Sequence, residues 1–143
     1  MNALMRASLT LLLTVPVLGA PPVRPMPWLG MGVRSYQDKR GQRYLHVEKI
    51  TPAGPAATAG LHPGDIILSL GAFHATDGDD LDFLLYLQDR RPGERLVVRL
   101  VRAGRQSGVT LAVGVMPDAA RPAWNATMER ARQARIMAQR PGH

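Results

Sequence analysis

Apolar and polar residues alternate along two stretches in the first half of the chain, which is typical of β-strands with one buried face. Residues 28–36 and residues 44–50 both show this alternation. The charged stretch 37–42 between them contains a glycine and predicts a loop. Residues 66–70 are apolar and rich in isoleucine and leucine, so they predict a central strand. The pattern therefore predicts three strands before residue 71.

A short helix is predicted between the second and third strands. Pro55 fits the first turn of a helix, where no amide hydrogen is needed. Gly60 fits the left-handed position just past a helix end. Pro63 and Gly64 then form a turn dipeptide before the strand.

A longer helix is predicted after residue 75. Thr76 or Asp77 can cap it, and the carboxylates that follow suit the positive N-terminal end of the helix dipole. Helical spacing places leucines along residues 81–88, and Pro92-Gly93 ends the helix.

The last predicted pair of strands is a hairpin. Residues 96–102 and 109–115 are the strands, and residues 103–105 lie in the connection. The order of elements predicts an α+β chain, mainly β, with a small antiparallel sheet capped by two helices.

Residues 52–68 read PAGPAATAGLHPGDIIL, a string that resembles the G-x-P-A-x-x-A-G-L-x-x-G-D-x-I-L signature of PDZ domains. The resemblance is strongest to the bacterial type attached to HtrA-like serine proteases. It implies a PDZ domain over residues 28–116, built as a partly open antiparallel barrel in the circularly permuted bacterial order. The sequence departs from the family in two places: Gly71-Ala72 replaces Asn-Gly in a tight turn, and His74 stands where proline is frequent. These departures bear on the hairpin geometry.

The resemblance also implies a peptide-binding loop. Trp28, Leu29, Gly30 and Met31 match the Tyr-Φ-Gly-Φ loop of HtrA-type domains, whose backbone amides bind a terminal carboxylate. Amides that bind an anion must point into one concavity, and glycine permits the backbone angles this requires. Leu29, Met31 and Val33 would then line the pocket for the last side chain of the peptide. The alternative interpretation is an ordinary strand start made of core residues.

The helix after residue 79 would form the other wall of the groove. Alignment with the family places Asp80, Leu84 and Leu87 along the groove and turns Leu81 and Leu85 toward the core. Arg24 lies four residues before the loop, where some PDZ domains have a basic residue that supports the carboxylate. A ligand would add as a strand beside the one that follows the loop.

Catalytic, metal and cofactor sites are not expected. The sequence has no cysteine, which excludes disulfides and thiolate chemistry. The four histidines lack metal-ligand spacing, and no serine lies in a Gly-x-Ser-x-Gly setting. The acidic run between residues 77 and 82 is explained by helix capping.

The two ends of the chain differ from its centre. Residues 1–20, with Arg6 followed by an apolar run over residues 7–18, predict an export signal or an N-terminal anchor. Residues 21–27 predict a proline-rich linker. Residues 117–143 form a basic tail, which predicts either a frayed segment or an amphipathic helix with Trp124, Met128 and Ala131 on one face.

These features predict an exported protein that is not an enzyme and that binds extended or C-terminal apolar peptides in the periplasm or cell envelope. The first alternative is a regulatory subunit that presents substrates to an envelope protease. The second is an assembly adaptor docked to a membrane or complex by its N-terminal segment or basic tail. The net charge of +7 could attract nucleic acid, but an exported protein is not expected to meet it.

Overall fold

A computed structural model describes residues 24–141. The predicted export segment, residues 1–20, lies outside the described residues. The described residues contain eight strands: β1 (Pro27–Trp28), β2 (Met31–Gln37), β3 (Arg43–Ile50), β4 (Ile66–Leu70), β5 (Phe73–His74), β6 (Arg95–Arg102), β7 (Arg105–Ala112) and β8 (Gly114–Val115). The α-helices are α1 (Pro55–Ala59), α2 (Asp80–Gln88) and α3 (Arg121–Ala138), and 3₁₀ turns cover Ala75–Asp77 and Asp118–Ala120.

The strands form one main antiparallel sheet and one small ribbon. The main sheet has the order β2-β3-β4-β6-β7, with β5 paired to β4, and β1 pairs with β8 in the ribbon. β2 is therefore an edge strand of the main sheet. The predicted α+β, mainly β architecture is confirmed, although residues 28–36 are divided by a loop at residues 29–30.

The core fills the space between the sheet and the helices. Leu45, Val47, Ile67, Val98 and Leu100 are essentially inaccessible to solvent. They come from the three central strands, so the alternating residues of β3 and β6 face one common interior. Aliphatic side chains make up most of this interior.

The helix α1 begins and ends as its sequence predicts. Gly54 is the N-cap, Pro55 occupies the first turn, and Gly60 has a left-handed φ of 92°. The turn that follows is fixed by buried Asp65, which accepts hydrogen bonds from the His62 amide at 2.8 Å and from Arg102 Nε at 2.8 Å. The motif at residues 52–68 thus joins α1 to the start of the central strand.

The hairpin between β4 and β5 tolerates the unusual Gly71-Ala72 pair. Leu70 pairs with Phe73, so the loop has two residues, and Gly71 adopts a positive φ of 59°. The Tyr86 hydroxyl accepts a hydrogen bond from the Ala72 amide at 3.0 Å. One permissive residue and a hydroxyl from α2 are enough to hold this turn.

The cap of α2 differs from the expected residue. Asp79, rather than Thr76 or Asp77, is the N-cap: its carboxylate accepts from the Asp82 amide at 3.0 Å, and the Asp82 carboxylate accepts from the Asp79 amide at 3.0 Å. Residues 75–77 instead form a separate 3₁₀ turn. This reciprocal pair is a capping box, which satisfies two amides of the helix start that have no intrahelical partner.

The C-terminal segment is a docked helix rather than a frayed tail. Met128 and Ala131 of α3 are buried in the main core cluster, and Trp124 packs against it. These three residues share a face, as the sequence predicts, but that face contacts the chain's own domain. Because the face is already covered, it is not free to lie on a membrane or on another protein.

Candidate functional site

The loop between β1 and β2 has a conformation that requires glycine. Gly30 has a φ of +70°, and a Cβ at this position would lie 3.1 Å from Pro55 Cδ and 3.3 Å from the Gly54 Cα. Left-handed backbone and close approach together exclude most side chains. The loop therefore rests directly on the start of α1.

The carbonyl groups of Leu29 and Gly30, the two loop residues, both accept backbone hydrogen bonds. The Leu29 oxygen accepts from the Ala56 amide at 2.9 Å, and the Gly30 oxygen accepts from the Thr51 amide at 2.8 Å. Every peptide bond described is trans, so each N–H points opposite to the carbonyl that precedes it. The amide of Gly30 consequently points away from α1, and that of Met31 points away from Thr51.

Seven of the eight residues predicted for the site line a single cavity of about 1110 Å³. The seven are Trp28, Leu29, Met31, Val33, Asp80, Leu84 and Leu87. Gly30 does not line the cavity and supplies the turn that shapes its end. The structure brings the predicted residues together, and their contact with a ligand stays a prediction.

The β2 wall of the cavity is an open sheet edge. Ser35 donates its amide to the Asp80 carboxylate at 2.8 Å, so its backbone polar groups face α2 and not β3. Backbone groups alternate sides along a strand, and those of Val33 therefore face the same way. Met31 and Val33 are half-buried and pack against the core below this edge.

The α2 wall is formed by a broad apolar arc. Leu81, Phe83, Leu84 and Leu87 are all buried and all line the cavity. Leu85 was expected to face the core, but it is 41% exposed, so that expectation is wrong. In a helix of 3.6 residues per turn, Leu85 lies outside this arc, about 120° from its middle, and Phe83 takes the core position beside Phe73.

A third wall comes from α3, which the sequence reasoning did not assign to the site. Ala123, Thr127, Arg130 and Ala134 are among its residues that line the cavity. Their spacing of three and four residues was visible in the sequence. What the sequence lacked was any sign that the helix returns onto its own domain.

Ionisable groups cluster at the end of the cavity near the start of α2. Burial raises the pKa of Asp80, against the effect of the Ser35 amide. The hydrogen bond from Arg135 lowers the pKa of Asp79 to about 2. Arg135 also reaches the Asp82 carboxylate, with 2.9 Å between Nη2 and Oδ1, and the pKa of Arg135 is raised by these partners.

Three other features of residues 24–141 bear on function: the arrangement of metal-ligating side chains, the position of Arg24 and the apolar character of the helices. No group of three His, Cys, Asp or Glu side chains in this part is arranged to hold a metal ion. Arg24 is exposed and does not line the cavity. Within the same residues, no helix is both long and apolar enough to cross a membrane. The cavity has an open strand edge and an apolar floor, and the Gly30 loop stands at its end. This combination is suited to binding an extended chain.

Comparison with known families decides what this architecture is. Residues 27–113 match the PDZ domain family. The chain belongs to the PDZ domain family. The matched region begins at β1 and ends just before β8, so α3 lies outside the part that defines the PDZ domain.

Curated relatives of the PDZ domain are bacterial proteases. The chain is 32% identical over 98 residues to a "Probable periplasmic serine endoprotease DegP-like" of Pseudomonas putida strain F1, covering 64% of this chain and 20% of the relative. The protein of the same description from Pseudomonas fulva strain 12-X is 34% identical over 97 residues, covering 63% of this chain and 20% of the relative. The chain thus spans about a fifth of the length of these relatives, and the shared part is the PDZ region.

Solved structures give the same relationship. The HtrA-type protease AlgW with a decapeptide superposes with a TM-score of 0.56 at 27% identity, over 65% of this chain and 30% of that chain. The HtrA3 PDZ domain bound to the phage-derived ligand FGRWV has a TM-score of 0.52 at 17% identity, over 63% of this chain and 86% of that chain. The second likeness concerns the fold alone. The predicted relationship to HtrA-type PDZ domains is confirmed.

Proposed function

We propose that this PDZ domain binds the apolar C-terminus of a partner protein as an added strand along β2. The observation that carries the proposal is the loop at Gly30. Its two carbonyls are engaged by Thr51 and Ala56, which leaves the amides of Gly30 and Met31 directed away from those partners. Successive amides that point into one concavity bind anions, and a peptide carboxylate is the anion that an open strand edge would accompany.

The walls of the cavity define the rest of the ligand. Leu29, Met31, Leu84 and Leu87 give an apolar surface for the last side chain. Methionine is flexible and polarisable, so this surface can adapt to more than one apolar residue. The backbone of Val33 is available for pairing with the ligand, because it faces the cavity rather than β3.

The decisive experiment compares two forms of one peptide. A decapeptide ending in valine is prepared with a free C-terminus and with a C-terminal amide, and its binding to the full chain is measured by calorimetry. We expect the amide to bind roughly ten- to a hundred-fold more weakly, since a hydrogen bond to a charged group contributes ~1.5–3 kcal/mol. Equal binding of the two forms would overturn the proposal.

The cell envelope is the proposed location. Arg6 and the apolar residues 7–18 have the pattern of an export signal, and the curated relatives are described as periplasmic. A phosphatase reporter fused to the C-terminus, active only outside the cytoplasm, should give activity. Activity confined to a cytoplasmic reporter would contradict export.

A second candidate function is presentation of substrates to an envelope protease. The observation that favours it is that the relatives carry this PDZ region as 20% of a serine endoprotease. In this function the domain would bind a substrate and present it to a protease that is a separate chain. Co-purification of a protease with the tagged protein, lost on peptide competition, would support this function over simple peptide binding.

A further inference from the structure

The helix α3 runs along the cavity from one end to the other. Its start follows β8, which pairs with β1 next to the Gly30 loop. Near its other end, Arg135 reaches Asp79 and Asp82 at the start of α2. The helix therefore extends along the cavity from the Gly30 loop to the start of α2, a distance of about 27 Å for 18 residues.

Two kinds of contact hold α3 in this position. Met128 and Ala131 are buried in the core cluster, and Trp124 packs against it. Arg135 Nε donates to Asp79 Oδ2 at 3.1 Å, and Asp79 is itself the cap of α2. The helix is thus attached to α2, the wall opposite the open edge of β2.

The helix borders the cavity without filling it. A space of about 1110 Å³ remains while α3 is docked. The α3 residues that line this space include small ones, among them Ala123, Thr127 and Ala134, and also Trp124, which packs against the core as well. An extended ligand beside β2 would therefore lie in a channel with three walls.

The charges around this channel are unequal. The carboxylates of Asp79 and Asp82 are engaged by Arg135, that of Asp80 by the Ser35 amide, and that of Glu48 lies 3.3 Å from Arg34 Nε. Four further basic side chains line the cavity: Arg43, Lys49, Arg90 and Arg130. Arg90 is paired with Glu94, with 3.0 Å between Nη1 and Oε2. Arg130 donates to the neutral Thr127 hydroxyl at 3.0 Å. The channel is therefore matched to a ligand that carries negative charge.

We propose that α3 is the third wall of the peptide site and that Arg130 selects ligands with an acidic side chain upstream of an apolar C-terminus. This inference rests on the peptide-binding function proposed above. Arg130 lies nine residues after Arg121, which is about 13.5 Å along α3. An extended ligand advances ~3.3 Å per residue, so the acidic residue is expected about four positions before the C-terminus.

The charge test uses matched variants on one helix. Arg130→Glu reverses a charge that lines the cavity, and Arg132→Glu makes the same change at an exposed position that does not. Decapeptides ending in valine carry Glu, Ala or Lys at the fifth position from the C-terminus. We expect Arg130→Glu to weaken the Glu peptide about two- to fivefold at low salt and to strengthen the Lys peptide, with Arg132→Glu unchanged. If Arg130→Glu and Arg132→Glu bind the three peptides in the same order of affinity, the proposed role of Arg130 is overturned.

The role of α3 as a wall of the peptide site is tested by adding a large side chain to it. Ala134→Trp places a large side chain in the channel, whereas Gln133→Trp adds the same side chain at an exposed position outside it. We expect at least tenfold weaker binding of every decapeptide for Ala134→Trp alone. Unchanged or tighter binding by Ala134→Trp would overturn the proposal.

A tripeptide ending in valine separates this inference from the underlying function. It reaches the Gly30 loop but not Arg130. If the wild-type chain binds the free tripeptide better than its amide, peptide binding stands whatever α3 does. If decapeptides then respond neither to Arg130→Glu nor to Ala134→Trp, only the third wall is wrong.

Discussion

Asp80 and Ser35 join the two walls of the groove: the Asp80 carboxylate accepts the Ser35 amide at 2.8 Å. This bond crosses from the first residue of α2 to the middle of the edge strand β2. It uses an amide that a ligand strand would otherwise pair with. Strand addition is therefore expected to involve the β2 backbone before Ser35, which means the backbone groups of Val33 and the amide of Met31.

Substitution of Asp80 should separate its hydrogen bond from its charge. Burial raises the pKa of Asp80, which shows that its ionised form is disfavoured in the folded protein. Asp80→Asn retains an oxygen acceptor without the charge, so it should match or exceed the wild-type free energy of unfolding at pH 7. Asp80→Ala should lower it by about 0.5–1.5 kcal/mol. Urea unfolding measures both, and equal destabilisation by the two variants would contradict this account.

Substitution of Gly30 should impair both stability and binding. Gly30→Ala forces a side chain into a left-handed conformation, at a cost of about 1–2 kcal/mol, and places its Cβ against Pro55. Gly30→Val should lower stability and peptide affinity further, because its side chain is larger and β-branched. Gly60→Ala is the control, because its φ is also positive, at +92°, but no atom lies within 4 Å of the added Cβ. Gly60→Ala should lose stability and keep peptide affinity in the folded protein, and loss of affinity in both variants would count against a special role for the loop.

The sequence was sufficient for the elements that depend on local chemistry. Pro55 and Gly60 mark the ends of α1, and the alternation in residues 44–50 marks β3, because each reflects backbone preference or one buried face. The peptide loop at residues 28–31 was predicted through family resemblance, and its contact with a ligand stays a prediction. Its observed φ at Gly30 gives that resemblance a physical basis.

The sequence was insufficient where tertiary contacts decide. Leu85 and Leu84 are chemically identical neighbours, and only the packing of Phe83 against Phe73 shows which leucine faces inward. Asp77 and Asp79 are equally good caps, and the partner at Asp82 selects the second. The docking of α3 depends on Arg135 meeting Asp79, 56 residues away, a pairing that no local pattern encodes.

The pair Leu84 and Leu85 gives a direct test of the α2 register. Leu84 is 6% exposed and lines the cavity, whereas Leu85 is 41% exposed. Leu84→Lys should abolish peptide binding and lower the free energy of unfolding by about 1.5–3 kcal/mol, with the lysine stem extending through the open cavity. Leu85→Lys should change stability by less than ~0.5 kcal/mol and leave affinity intact. Peptide titration and urea unfolding of both variants measure this, and similar behaviour of the two would contradict the register.

Removal of the buried Asp65 carboxylate should lower the free energy of unfolding more than removal of any other charged group among residues 24–141. It accepts from Arg102 Nε at 2.8 Å, from Arg102 Nη2 at 2.7 Å and from the His62 amide at 2.8 Å. Burial opposes ionisation, but these donors together hold the pKa of Asp65 below its usual value. Asp65→Ala should lower the free energy of unfolding by about 2–3 kcal/mol. Asp77→Ala, at an exposed position, should have little effect, and a small loss for Asp65→Ala would show that water replaces the arginine.

Acid should weaken the attachment of α3 to α2. Arg135 depresses the pKa of Asp79 from 3.8 to about 2, so the folded state favours ionised Asp79. A depressed folded-state pKa contributes stability above the unfolded value of 3.8, and this contribution is lost as pH falls through about 2. Both side chains are partly exposed, so the contribution should stay under about 1 kcal/mol.

Other carboxylates also titrate in acid, so the measurement is a difference between two proteins. Urea unfolding is followed for the wild type and for Arg135→Ala from pH 7 to pH 2. The wild type should be the more stable at pH 7, and the gap should shrink as pH falls below 3.8 toward about 2. In a Trp28→Phe background, the fluorescence of Trp124 reports α3 docking over the same range. A gap that stays constant down to pH 2 would show that Arg135 stabilises the helix without help from ionised Asp79.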